Sequence, residues 1–124
     1  MTSLPIPQPS NLKDHLFNAN ISEVTYKYRI LRMKDSIFIY VGQADNEVFT
    51  EMAVAMPMTN SEVVSTRILG VDVGCESQEM AKTFAKKLNK QVFFSCNVDS
   101  DKMIRPMLAK YLSDEIKRCP EVFT

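Results

Sequence analysis

Few residues of this 124-residue chain are of types that do chemistry. It has one histidine, His15, and three cysteines, Cys75, Cys96 and Cys119. A thiolate beside an imidazole makes a nucleophile and its base, so a dyad of His15 with Cys96 or Cys119 is the enzymatic chemistry these types allow. The cysteines stand 21 and 23 positions apart. No Cys-x-x-Cys occurs and no second histidine, so neither a redox pair nor a His-based zinc site is expected. Cys96 falls in a strand pattern and Cys119 at a helix end, where thiols act as small buried hydrophobes. Gly70-Val71-Asp72-Val73-Gly74 precedes a helix like a phosphate loop. The Lys-Ser/Thr that must follow the second glycine is missing, and Lys82-Thr83 lies inside the helix. The carboxylates are scattered over loops and helix surfaces, with no pair in an apolar setting that would raise one pKa. No catalytic residue, metal site or cofactor is expected.

Charge narrows the partners. Lys+Arg and Asp+Glu are both 15, giving a net charge of zero, whereas a nucleic-acid partner demands a basic excess. The longest apolar stretches, Ile37–Val41 and Ala53–Met58, fall far short of the roughly 20 residues that span a bilayer. An odd set of dispersed cysteines fits free thiols in a reducing cytoplasm or nucleus. No basic region followed by an apolar run opens the chain, so the sequon Asn20-Ile21-Ser22 carries no weight. Lys82, Lys86 and Lys90 recur every fourth residue, with Lys87 beside them. They form either a solvated face or a dock for an acidic partner.

The elements that position these residues follow from periodicity. Pro5, Pro7 and Pro9 mark residues 1–12 as an extended arm ahead of one domain over 13–124. Val24, Tyr26, Tyr28 and Ile30 alternate with polar residues and predict a strand. Ile37–Val41 is apolar on both faces and predicts a central strand, paired as a hairpin across Lys34-Asp35-Ser36. Met52–Met58, Val63–Ile68 and Gln91–Val98 add strands, and His15–Ala19 another. Short turns between the early strands imply an antiparallel meander. Met80, Ala81, Phe84, Ala85 and Leu88 form one helical stripe, with Ser77 placed as N-cap and Asn89 as the stop. Ile104, Leu108, Tyr111, Leu112 and Ile116 line a second helix, with Pro106 in its first turn and an Asp114–Arg118 surface pair. The fold class is α+β: a mainly antiparallel sheet of about six strands packed with two helices.

Such a sheet carries more aromatic area than two helices on one face can cover, so either the helices take opposite faces or a second sheet stacks on it. Tyr26, Tyr28, Phe38, Tyr40 and Phe93 are the candidates for burial against a second, similar sheet, giving a β-sandwich between subunits.

Several segments, taken in order, resemble the proteasome assembly chaperone 4 family. They are His15-x-Phe17-x-Ala19 with Glu23, Leu31 to Phe38 with Val41-Gly42, Ala53 to Met56, Val64-Ser65-Thr66 with Leu69-Gly70, Asn89 to Phe93 with Ser95 and Asn97, and Pro120 to Phe123. Residues 43–50, 71–76 and 1–10 follow no family pattern. The resemblance implies a non-enzymatic chaperone without a cofactor. Its implied partners are proteasome assembly chaperone 3, as a heterodimer, and proteasome α-subunits, which the pair guides into the α-ring before leaving. It also singles out Asn89, Lys90 and Gln91, which with Lys86 and Lys87 form a candidate partner-binding corner. A trafficking or signalling adaptor of similar α+β shape is the alternative, ahead of the thiol enzyme.

Overall fold

Alternation along the chain becomes a six-stranded sheet in the computed structural model, which describes residues 13–59, 62–70, 76–98 and 104–123. The arm at 1–12, the turn at Asn60-Ser61, the stretch 71–75 and Cys75 with it lie outside the described residues. In chain order the elements are β1 (Lys13–Ile21), β2 (Val24–Arg32), β3 (Ser36–Gln43), β4 (Met52–Pro57), β5 (Val63–Leu69), α1 (Glu76–Leu88), β6 (Gln91–Asn97), α2 (Ile104–Arg118) and α3 (Pro120–Phe123).

The strands do not run as a simple meander. Their order is β1-β2-β3-β6-β4-β5. β6 returns from α1 and inserts beside β3, parallel to it and antiparallel to β4. Both strands at this centre are apolar, and the β4–β5 hairpin is carried to the outside. The β1–β2 turn is tight: Ile21 pairs with Val24, and Ser22 and Glu23 both take positive φ, 51° and 67°. Two such residues make the turn whose twist matches the strands. Lacking the usual Asn-Gly, it gives no signal in the sequence.

Parity assigns the two faces. On one, Tyr26, Tyr28 and Ile30 meet Ile37, Ile39 and Val41, then Val92, Phe94 and Cys96, then Ala53 and Ala55, all buried. Both helical layers lie on this face. α1 packs over β4, β5 and β6, α2 over β1, and α3 over β2. Met80, Ala81, Phe84 and Ala85 bury the predicted stripe, with Phe84 stacked on Phe94 at 5.9 Å between centroids. Each large side chain taken fully out of water here contributes about 1.5–3 kcal/mol.

Three expectations about the helices change. Ser77 is not the N-cap but lies within α1, wholly buried. Its N–H and its Oγ–H both donate to Glu51 Oε1, at 2.8 and 2.6 Å, so a carboxylate from the chain before β4 sits at the positive end of α1. Arg118 pairs with Glu115 rather than Asp114, through Nε at 2.9 Å and Nη2 at 2.8 Å. A third, short helix follows Cys119 and buries Phe123 completely. The predicted stop of α1 stands: Asn89 has φ 54°, and the Lys90 N–H donates to the Ala85 carbonyl at 3.3 Å, the bond that closes a helix through a left-handed residue.

Candidate protein-interaction surface

With both helical layers on one side, the other face of the sheet has no helix over it among the described residues. A row of residues crosses it in register: Asp14, Leu31, Phe38, Phe93, Val54 and Thr66. Leu31, Phe38, Phe93 and Val54 are half-buried there. Next to them Met56 and Val64 pair across β4–β5 and are 46% and 53% exposed. With Val54, Met58 and Gln91 they line a shallow, almost wholly apolar depression.

The neighbouring row is treated differently. Leu16, Arg29, Tyr40 and Ser95 align across β1, β2, β3 and β6, and the 44–51 loop folds over Arg29 and Tyr40. Tyr40 Oη donates to the Val48 carbonyl at 2.6 Å. The Arg29 guanidinium donates twice to Glu47, at 3.2 and 2.8 Å, and that bond holds the Glu47 carboxyl below its ordinary range. Gly42 makes room for this arrangement: a Cβ there would lie 2.6 Å from Tyr40 Oη. At its far end the loop is pinned by Asn97. Asn97 Oδ1 accepts the N–H groups of Thr50 and Glu51 at 2.6 and 3.2 Å, while its Nδ2 donates to Ser95 Oγ at 2.6 Å. Ser95 Oγ in turn donates to the Glu51 carbonyl at 2.6 Å. Ser95 and Asn97 thus fix both the loop and the Glu51 that caps α1, a role their spacing in a strand did not reveal.

The five aromatic candidates for sheet stacking therefore do not share a face. Phe38 and Phe93 lie on the open one. Tyr40 lies there too, but under the loop. Tyr26 and Tyr28 point into the helix-covered core and are 2% and 0% exposed, so they cannot meet a partner. Leu31, Val54, Met56 and Val64 take their place. Sequence reasoning missed them because aromatic content, not strand parity, guided the choice.

The basic corner keeps Lys86 and Asn89 together. Lys82, Lys86 and Lys87 are exposed along α1, but Lys90 falls beyond the helix end and leaves the ridge. Lys86 and Asn89 line a notch with Pro57, Met58, Thr59 and Val63. Gln91 opens β6, and Asn89 owes its place to backbone conformation. Of the thiol candidates, Cys96 is buried in the core, whereas Cys119 and His15 come together beside Glu115.

The comparisons with known proteins agree with this architecture. Residues 25–98 match the family model of proteasome assembly chaperone 4. The Homo sapiens proteasome assembly chaperone 4 is 30% identical over 125 residues, covering 99% of this chain and 100% of the human protein. The Mus musculus protein is 29% identical over 111 residues, covering 88% of this chain and 89% of its own. Among solved structures, a chain from a chaperone complex for yeast 20S proteasome assembly superposes with a TM-score of 0.68 at 15% identity, over 92% of this chain and 99% of that one. That likeness is one of fold: a sheet packed with helices in an α+β arrangement. The sequence matches carry the assignment further, and the chain belongs to the proteasome assembly chaperone 4 family.

Proposed function

We propose that the chain promotes assembly of the proteasome core particle as one half of a heterodimer with proteasome assembly chaperone 3. The observation that carries this is the apolar row Leu31-Phe38-Phe93-Val54, which crosses a sheet face that no helix among the described residues covers. Stacking a second sheet there completes a β-sandwich with a core about 10 Å thick. The heterodimer then holds proteasome α-subunits in the right neighbour relation, favours correct α-ring formation and leaves before maturation. That work needs differential binding rather than catalysis: contacts that fit correct neighbours and misfit wrong ones. An interface of roughly 1,600 Å² with a polar rim is enough, and subunits that join later supply the free energy of release. The free thiols fit a reducing cytoplasm or nucleus.

Co-expression with proteasome assembly chaperone 3 tests the reading. A one-to-one complex with a raised melting temperature is expected from mass action. Phe93→Asp, which puts an unpaired charge in the stacked layer, should abolish the complex and leave the isolated chain folded. A chain that elutes as a monomer and ignores that partner would refute the proposal.

A further inference from the structure

His15 and Glu115 lie 100 positions apart, on the edge strand β1 and the helix α2, and meet at 2.6 Å between Nε2 and Oε2. Cys119 stands one helical turn beyond Glu115, its N–H donating to the Glu115 carbonyl at 2.8 Å. That i, i+4 relation puts carboxylate and thiol on one side of the turn. The imidazole nitrogen, carboxylate oxygen and thiol sulfur all lie within 4.8 Å of one another. We propose that His15, Glu115 and Cys119 form a binding site for a thiophilic divalent cation of the zinc class.

The donor set fits that ion. Zinc takes imidazole, carboxylate and thiolate ligands at about 2.0–2.3 Å in a tetrahedron, and a site with three protein ligands leaves the fourth position to water. Magnesium and calcium are disfavoured, because both require shells of oxygen. The donor set is poised rather than preformed. The 2.6 Å contact between His15 and Glu115 has to spread for an ion to sit at about 2.0–2.1 Å from each.

Arg118 is the competitor. Its guanidinium neutralises Glu115 through two hydrogen bonds, yet its side chain is 67% exposed while that of Glu115 is 7% exposed. A nearly buried carboxylate needs a cation. The arginine supplies one from the solvent side and can swing out to water when a divalent ion replaces it. To ligate through Nε2, His15 gives up the contact of that nitrogen with Glu115, and any proton on it leaves for Nδ1 or solvent. The thiol loses its proton to solvent as the sulfur–metal bond forms, so affinity rises with pH. The bound ion clips β1 to the end of α2, beside the core packing that already joins them.

Co²⁺ is the probe, added to the reduced full-length chain. Wild type should give the thiolate-to-cobalt charge-transfer band and the intense visible bands of tetrahedral cobalt. Cys119→Ala should lose the charge-transfer band, and His15→Gln should lose the tetrahedral bands or weaken binding at least tenfold. Cys75→Ala and Cys96→Ala should keep both. Melting temperature should climb with Zn²⁺ concentration in wild type and stay flat in Cys119→Ala. Absence of the charge-transfer band in wild type, or its survival in Cys119→Ala, would overturn the site. Neither result depends on the partner chaperone.

Discussion

The fold strongly resists ionisation of Tyr28. Its ring stacks on Phe17 with centroids 4.3 Å apart, and its hydroxyl donates to the Leu108 carbonyl at 2.8 Å. Burial first, then the nearby Cys96, Tyr111 and Tyr26, push its pKa far above the ordinary 10.0. Below that ordinary value both folded and unfolded chains keep the proton, and stability is unaffected. Above it only the unfolded chain can release the proton, so stability falls as pH rises, by up to about 1.4 kcal/mol per pH unit. Urea melts at neutral pH and about one unit above 10.0 should show that loss. Tyr28→Phe should remove much of it while costing about 1 kcal/mol at neutral pH for the missing hydrogen bond. An unchanged pH slope in Tyr28→Phe would mean that another group is responsible. Little of this scale was legible in the sequence. The alternation of β2 showed that Tyr28 shares a face with Tyr26 and Ile30, but not which face the helices would take. Glu115 read as a surface residue because its partner, His15, arrives from the other end of the chain.

At the scale of elements, the stop of α1 was legible and its start was not, for one physical reason. The stop is local: Asn89 tolerates the left-handed conformation, and the closing bond comes from the next residue. The start is not local, because Glu51, 26 positions before Ser77, supplies the acceptor. Sheet order was hidden in the same way. Apolar content on both faces placed β3 at the centre, but no local signal tells that β6 will insert beside it rather than extend the meander. The Asn89 backbone gives a direct test of the corner singled out by resemblance. Asn89→Gly relieves positive φ and should leave stability within about 0.5 kcal/mol of wild type, whereas Asn89→Val should cost about 1–2 kcal/mol. If Asn89 serves only the helix end, Asn89→Gly binds partners as wild type does. A folded Asn89→Gly chain that has lost affinity for either partner would instead make the side chain a contact.

For the whole molecule, the consequence of one-sided helix packing is that its two candidate surfaces point in different directions. The apolar row lies on the bare sheet face, while Lys82, Lys86 and Lys87 project from α1, on the helical side. Aromatic content pointed to a cover, but two of the five residues it rested on, Tyr26 and Tyr28, are buried under the helices. The separation of the two surfaces was not readable, because it depends on both helical layers choosing the same side. Three exposed lysines in two turns repel one another unless solvent screens them or an acidic surface faces them. If they meet a partner, geometry makes it a different one from the chain stacked on the sheet. Charge reversal of Lys82, Lys86 and Lys87 to Glu should therefore leave the one-to-one complex with the sister chaperone intact. It should slow association with proteasome α-subunits by roughly tenfold at low salt and flatten the salt dependence of that rate, because surface charges act mainly through encounter. Thermal stability of the isolated chain should barely move, since exposed charges contribute about 0–1 kcal/mol each. Stopped-flow association with each partner over a salt series reads all of this. Equal rates for wild type and variant with both partners would reduce the lysines to a solvated face. A slowed rate with the sister chaperone alone would place that subunit over α1, and the stacked-sheet arrangement would have to be abandoned.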